Sequence, residues 1–118
     1  MITVSSGQTH TVSSGQTDIG DIVLAGGILE VLGGVTSDTT LTAGSIQVAN
    51  EFVHSNGSAL DTTVNNLGVL VVGSGGFASG TIVDSGGLAL VDGGFASTTV
   101  VNIVSTSSMM TVLRRTPL

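Results

Sequence analysis

The sequence predicts an all-β domain of the solenoid class, in which short parallel strands wind in repeated coils. A single unit is written twice in succession, first over residues 68–83 and again over residues 87–101. The chain of 118 residues contains 18 glycines and one proline, and Val, Leu, Ile and Ala supply most of its apolar side chains. β-Branched residues favour strands, and glycine favours tight corners. Because so short a unit cannot bury an apolar face alone, each unit needs a similar one above or below it.

A short strand rich in Thr and Val ends each repeat, and the spacing of these strands sets the length of a coil. Their last residues are separated by 18, 23, 19 and 18 positions, which indicates about 19 residues per coil with one longer repeat. Two further strands precede each ending strand, so we expect triangular coils. The ending strands are Asp21–Val23, Thr39–Leu41, Thr62–Val64, Thr81–Val83 and Thr99–Val101.

The strand before each corner alternates in polarity, as expected for a sheet with one buried face. Its second and fourth residues are apolar in every repeat. We assign these pairs to the core: Leu29 and Val31, Ile46 and Val48, Leu70 and Val72, Ala89 and Val91. The third strand of each coil is predicted at Val35–Ser37, Ser58–Leu60, Phe77–Ser79 and Phe95–Ser97.

The longer repeat carries its extra residues in the stretch 48–57, which reads VANEFVHSNG. Extra residues in a solenoid usually form a loop that bulges from one face. The loop predicted here would contain Glu51, Phe52 and His54. Phe52 is a candidate contact for a partner, because loops on rigid scaffolds often bind. The alternative is that Phe52 folds under the loop as a local plug.

Both ends of the chain depart from the regular repeat. The sequence VSSGQT occurs at residues 4–9 and again at 12–17, which predicts short strand-turn units. We therefore divide the chain into a first coil of short repeats over residues 1–20, regular solenoid repeats over 21–102, and a tail or cap over 103–118. The segment 105–118 lacks glycine and holds the single proline.

An apolar outer face is predicted on the last two regular repeats. The alternation that buries Leu70 and Val72 directs their neighbours outward, so Val69, Val71, Leu88 and Leu90 would stack into a contiguous patch. Exposed patches of this kind often mark an interface. The alternative is that the tail folds back and covers the patch with Met109, Met110, Val112 and Leu113. The candidate interface residues are Val69, Val71, Leu88, Leu90 and Phe52.

Charge and composition exclude several partners. The net charge is −6, and the two cations, Arg114 and Arg115, both lie in the tail, which argues against a nucleic-acid partner and against docking on anionic lipid. The sequence holds no apolar stretch near the ~20 residues that span a bilayer, so no direct membrane insertion is expected. No cysteine is present, so thiolate metal sites are excluded.

Catalysis, metal binding and cofactor binding have little support in the sequence. His10 and His54 are isolated from other ligands at familiar metal-site spacings. The eight acids are spread over all the coils, and a stacked pair such as Asp38 and Asp61 is better explained by turns than by a glycosidase site. The sequence therefore predicts no catalytic residue, no metal ligand and no cofactor.

The pattern GG-x-L-x-V-x-GG-x-A-x-x-T-x-V, which has its best instance at residues 86–101, resembles the passenger repeats of AIDA-type autotransporter adhesins. The resemblance extends over residues 2–102. It implies a right-handed parallel β-helix at the bacterial cell surface, although no export signal is seen in this chain.

The resemblance also implies a non-enzymatic role in self-association or adhesion, as in aggregation and biofilm formation, with a homo-oligomer as the expected partner. A host or polysaccharide ligand is a second class of partner. The alternative function is a passive spacer, glycosylated on Ser or Thr, that presents another domain. A β-helix that binds or cleaves polysaccharide is less favoured, because its acids should cluster.

Overall fold

Three parallel sheets form the faces of a β-solenoid of about five turns, as predicted. The computed structural model describes residues 2–43, 48–84, 86–97, 99–101 and 112–115. Sheet 1 contains β2 (Thr9–Ser13), β5 (Ile28–Leu32), β8 (Ala49–Val53), β11 (Gly68–Val72), β14 (Leu88–Asp92) and β17 (Val112–Arg115). Sheet 2 contains β3 (Thr17–Ile19), β6 (Val35–Ser37), β9 (Ser58–Leu60), β12 (Phe77–Ser79) and β15 (Phe95–Ser97). Sheet 3 contains β1 (Thr3–Val4), β4 (Ile22–Val23), β7 (Thr40–Leu41), β10 (Thr63–Val64), β13 (Ile82–Val83) and β16 (Val100–Val101).

The chain visits sheets 1, 2 and 3 in turn and then starts the next coil. Equivalent residues of successive coils therefore pair in register, as Ala59, Ala78 and Ala96 do in sheet 2. The residues of 1–20 supply strands to the same three sheets as the regular repeats. Among the described residues, no helix has the length and apolar character needed to cross a bilayer.

A thin core of small and branched side chains fills the triangle. Leu29, Val31, Leu70, Val72 and Val91 are buried, which confirms the predicted inward positions in three of the repeats. Their outward neighbours on the same strands are partly exposed. The strict alternation follows from the pleat of a strand, which turns successive side chains to opposite faces.

The predicted alignment of the longer repeat was wrong. Residues 49–53, predicted as a bulging loop, form β8 in the middle of sheet 1, where Glu51 pairs in register with Leu29 and Leu70. Glu51 and Val53 thus hold the core positions that were assigned to Ile46 and Val48. Val48 is 37% exposed, and Ile46 lies outside the described residues.

The extra residues of this repeat lie before β8 and not after it. Nine positions separate Leu41 from Asn50, where five separate the equivalent residues Val23 and Ile28. The sequence SIQV fits the alternating template and NEFV does not, because a carboxylate at an inward position contradicts the usual polarity of a core. This is why the pattern alone selected the wrong register.

At each of the three corners of the triangle, residues of successive coils stack in a column and have a left-handed backbone conformation. This conformation lets the chain turn from one strand to the next without a long loop. The column between sheets 2 and 3 contains Gly20, Asp38, Asp61 and Gly80, all with φ between 55° and 78°. Asp and Asn tolerate this region better than other residues with a side chain. The predicted stacking of Asp38 and Asp61 is therefore the stacking of two corners.

Leu67 is the bulky member of the column between sheets 3 and 1, where Gly7, Gly26 and Gly86 are its equivalents. Its φ of 62° costs a non-glycine residue about 1 kcal/mol or more. We expect Leu67→Gly to raise the free energy of unfolding by up to about 1 kcal/mol, measured by urea denaturation.

The control for this substitution is Leu24→Gly. Leu24 is an exposed leucine near the equivalent corner of an earlier coil, and its φ is not positive. Glycine there should destabilise the domain by roughly 0.5–1 kcal/mol, because it only adds freedom to the unfolded chain. Equal changes in the two variants would contradict strain at Leu67.

Candidate interaction surface and polar interior

The outer face of sheet 1 brings all five candidate interface residues together. Phe52, Val71 and Leu90 form one row across β8, β11 and β14, and Val69 pairs with Leu88 in the adjacent row. All five side chains are partly exposed. Adjacent strands are about 4.8 Å apart, so the side chains within each row are in contact range. We call these five residues the outer patch.

Phe52 reaches the outer patch from a strand, not from the predicted loop. It points outward because Glu51 and Val53 on either side point inward. Its ring lies 6.4 Å from that of His54, at an angle of 31°. Both loop hypotheses for Phe52, the partner contact on a bulge and the plug beneath it, are therefore wrong about its location. The assignment of Phe52 to an interface stays a prediction.

Residues 112–115 lie at the edge of sheet 1 and not across its outer face. β17 pairs in parallel with β14, with Leu113 beside Leu90 and Arg115 beside Asp92. This backbone pairing occupies an edge that would otherwise offer unpaired groups to another chain. The predicted fold-back of Val112 and Leu113 over the patch is thus not seen, and Met109 and Met110 lie outside the described residues.

A second aromatic feature lies on the outside of sheet 2. The rings of Phe77 and Phe95 stack with their centroids 5.5 Å apart and an angle of 12° between their planes. They line an open groove of about 340 Å³ together with the glycine pairs 75–76 and 93–94. Phe95 is 52% exposed, so this ladder adds apolar surface on a face separate from the outer patch.

The interior contains a buried carboxylate. Glu51 is fully buried, and its carboxylate accepts hydrogen bonds from the Thr36 hydroxyl at 2.7 Å and from the Thr62 hydroxyl at 3.3 Å. Burial raises the pKa of Glu51 to about 7, and the negative charge of Asp21 acts in the same direction. The two hydroxyl donors lower the pKa but do not offset the loss of solvation.

Thr39, Thr62 and Thr81, the first residues of three of the ending strands in the sequence analysis, are all buried inside the solenoid. Asp21 occupies the equivalent position in the first coil. Burial is the main cause that raises the pKa of Asp21, and nearby Asp18 adds to it. The alignment of the ending strands, which placed Asp21 opposite Thr39, predicted this equivalence.

His10 is not isolated. Its Nε2 lies 2.5 Å from Asp18 Oδ2, and these two side chains form a group with Asp21 whose possible ligand atoms all lie within 4.8 Å of one another. His10 and Asp18 have exposed side-chain fractions of 35% and 27%, whereas Asp21 is buried. The expectation that His10 lacks neighbouring ligands was therefore wrong, since residues distant in sequence meet in the coil.

A solved structure is similar to this chain over most of its length. It is the TibC-catalyzed hyper-glycosylated fragment 55–350 of TibA, which is 39% identical and superposes with a TM-score of 0.75 over 82% of this chain. TibA is a member of the AIDA-like autotransporter adhesins. This chain carries passenger repeats of the AIDA type. It spans 35% of the length of the TibA fragment. No protein-family model and no curated protein matches the chain.

The similar solved structure and the three stacked parallel sheets confirm the predicted solenoid. The AIDA-type repeats account for the strands, the corners and the small core, which are properties of a scaffold. The outer patch, the phenylalanine ladder and the polar interior depend on side chains that differ from coil to coil. Phe52 is an example, because its equivalents are Glu30, Val71 and Leu90.

Proposed function

We propose that this chain is a non-enzymatic module of a bacterial surface adhesin and that it associates with other copies of itself through the outer patch. The similarity to an adhesin fragment supports the adhesin-related role and the surface-exposed location. The contiguous apolar rows of Phe52, Val71, Leu90, Val69 and Leu88 support the self-association.

The size of the outer patch indicates a weak contact that gains strength by repetition. Three strands spaced about 4.8 Å apart, with two rows of side chains, cover roughly 200 Å². A stable protein interface buries about 800 Å² on each partner. A single patch should therefore give only weak association. Several patches along a longer solenoid would add their contributions, because contacts after the first form within one complex.

Charge favours a contact made by this face over contacts made by the rest of the surface. The eight acids are distributed over the coils, and residues 1–113 hold no Lys or Arg to balance them. Two copies therefore repel each other at long range, and an uncharged apolar face is where they can approach. Added salt screens this repulsion, so association should strengthen as ionic strength rises.

Sedimentation velocity over a concentration series tests the proposal. We expect reversible association of the wild type at high concentration, and we expect the double variant Val71→Lys with Leu90→Lys to remain monomeric. The control is Thr9→Lys with Thr11→Lys, which adds the same charges to the outer rows of sheet 1, away from the patch. Circular dichroism establishes that each variant is folded.

The pattern of results distinguishes the alternatives. Loss of association in the patch variant alone supports the outer patch as the interface. Monomers in every case would favour the spacer function. Equal association of all three proteins would place the contact outside the outer patch, at the ends of the solenoid or at the stacked rings of Phe77 and Phe95.

A further inference from the structure

The interior of the first coil brings together one imidazole and two carboxylates, whereas the next coil has none of these groups at the equivalent described positions. His10, Asp18 and Asp21 occupy the inward positions of β2, of β3 and of the residue before β4. In the next coil the equivalent residues are Leu29, Thr36 and Thr39, all of them buried. The same repeat geometry that packs those three side chains together therefore directs the imidazole and both carboxylates toward one point.

Asp21 supplies an independent observation that points to a ligand. Its side chain is 0% exposed. Oδ1 accepts a hydrogen bond from the backbone N–H of Ile2 at 3.0 Å, whereas Oδ2 has no hydrogen-bond donor among the described residues. A buried carboxylate oxygen is expected to have a donor or a cation beside it, because it has lost the water that would otherwise solvate it.

We propose that His10 Nε2, Asp18 Oδ2 and the Asp21 carboxylate bind one divalent transition-metal ion, with Zn²⁺ as the best fit. An imidazole ligand favours Zn²⁺ over Ca²⁺ and Mg²⁺, which prefer sites built of oxygen alone. Three protein ligands leave a fourth position, which faces solvent through the partly exposed His10 and Asp18 and suits a water molecule.

The distances suit an ion after a small adjustment. Ligand atoms around a tetrahedral Zn²⁺ lie about 3.3 Å apart, given metal-ligand bonds of about 2.0–2.1 Å. All ligand atoms of the cluster are already within 4.8 Å of one another. The 2.5 Å contact between His10 and Asp18 would widen by less than about 1 Å, which rotation of two partly exposed side chains allows. The ion would join β2, β3 and the start of β4, and so stabilise the first coil.

Isothermal titration calorimetry of the full chain with Zn²⁺, free of any affinity tag, tests the site. We expect about one ion per chain for the wild type, and binding at least about tenfold weaker for His10→Gln and for Asp21→Asn. His54→Gln is the matched control, because His54 is exposed on the outer side of the solenoid and should bind Zn²⁺ like the wild type. Thermal unfolding gives a second readout, since an ion bound only to the folded chain raises the Tm.

Three results would overturn the site. One is no uptake by the wild type at free Zn²⁺ up to about 1 mM, which would leave the cluster as an ion pair beside a buried acid. The second is an equal loss of binding in the His10 and His54 variants, which would indicate nonspecific coordination. The third is a Tm increase that survives in a folded His10→Gln variant, because the ion would then bind elsewhere.

Discussion

Replacing Glu51 with glutamine should remove most of the fall in stability that the wild-type domain shows between about pH 4.5 and pH 7. The pKa of this carboxyl is 4.5 in an unfolded chain and about 7 in the folded one. The folded state therefore holds a proton that the unfolded state releases across this interval. Stability is highest below the unfolded pKa and decreases as pH rises through the folded pKa.

The expected size of the effect is about 3 kcal/mol, because each unit of pKa difference corresponds to 1.36 kcal/mol. Asp21 contributes in the same direction, since its pKa is also raised, and its contribution remains in the variant. Glutamine keeps the shape of the side chain and carries no charge; its Oε1 can accept a hydrogen bond from one threonine hydroxyl while its Nε2 donates to the other. Urea denaturation at a series of pH values measures the change.

Glu30→Gln is the control for the Glu51 variant. Glu30 lies on the adjacent strand of sheet 1 but points outward, in register with Phe52. It is partly exposed, and the Glu30→Gln variant keeps the buried Glu51, so we expect this variant to keep the fall in stability with pH that Glu51 causes. If the Glu51 and Glu30 variants showed the same slope as the wild type, Glu51 could not be the buried group that titrates.

Gly76→Ala should destabilise the domain by about 2–3 kcal/mol, because the coil above leaves no room for a methyl group. A Cβ at Gly76 would lie 2.7 Å from the carbonyl oxygen of Val53 and 3.1 Å from that of Gly73. These are backbone atoms, and the Val53 carbonyl also accepts a hydrogen bond from the N–H of Gly73. Relief of the clash would require the two coils to move apart.

Gly73→Ala tests whether space, and not the loss of glycine as such, explains this effect. A Cβ at Gly73 would meet the same Val53 oxygen at 3.6 Å, an ordinary contact distance, and neither glycine has a positive φ. We expect a change within about 0.5 kcal/mol of the wild type. Thermal and urea unfolding of the pair measure the difference, and similar values for both variants would contradict the steric explanation.

Much of the solenoid could be predicted because its signals are local and repeated. The strands of sheet 2, from Val35–Ser37 to Phe95–Ser97, have the predicted bounds. Glycine at a corner and alternating polarity along a strand are each determined by a few neighbouring residues. Both can therefore be recognised in the sequence without knowing which coils are in contact. The rows of the outer patch follow from the same alternation once the coils are stacked.

The register of β8 needed more than local pattern. A useful signal was the distance back from the next corner: Asn56 takes the place of Gly75, and counting back the same three positions that separate Gly75 from Val72 puts Val53 at the end of the strand. The polarity pattern opposed this register, because ending the strand at Val53 places the charged Glu51 at an inward position. Burial of Glu51 is tolerated because Thr36 from the coil above and Thr62 from its own coil both donate to its carboxylate.

The sequence by itself determined the class of this protein: a stack of short parallel strands turned by glycine, too poor in basic residues for nucleic acid, with an apolar outer face. Only the tertiary structure decided which polar residues meet inside. His10, Asp18 and Asp21 are neighbours because the three sides of the first coil enclose a narrow interior and each of these residues occupies an inward position on a different side. That closeness depends on how coils fold around a shared axis, and the pattern along one strand does not contain it.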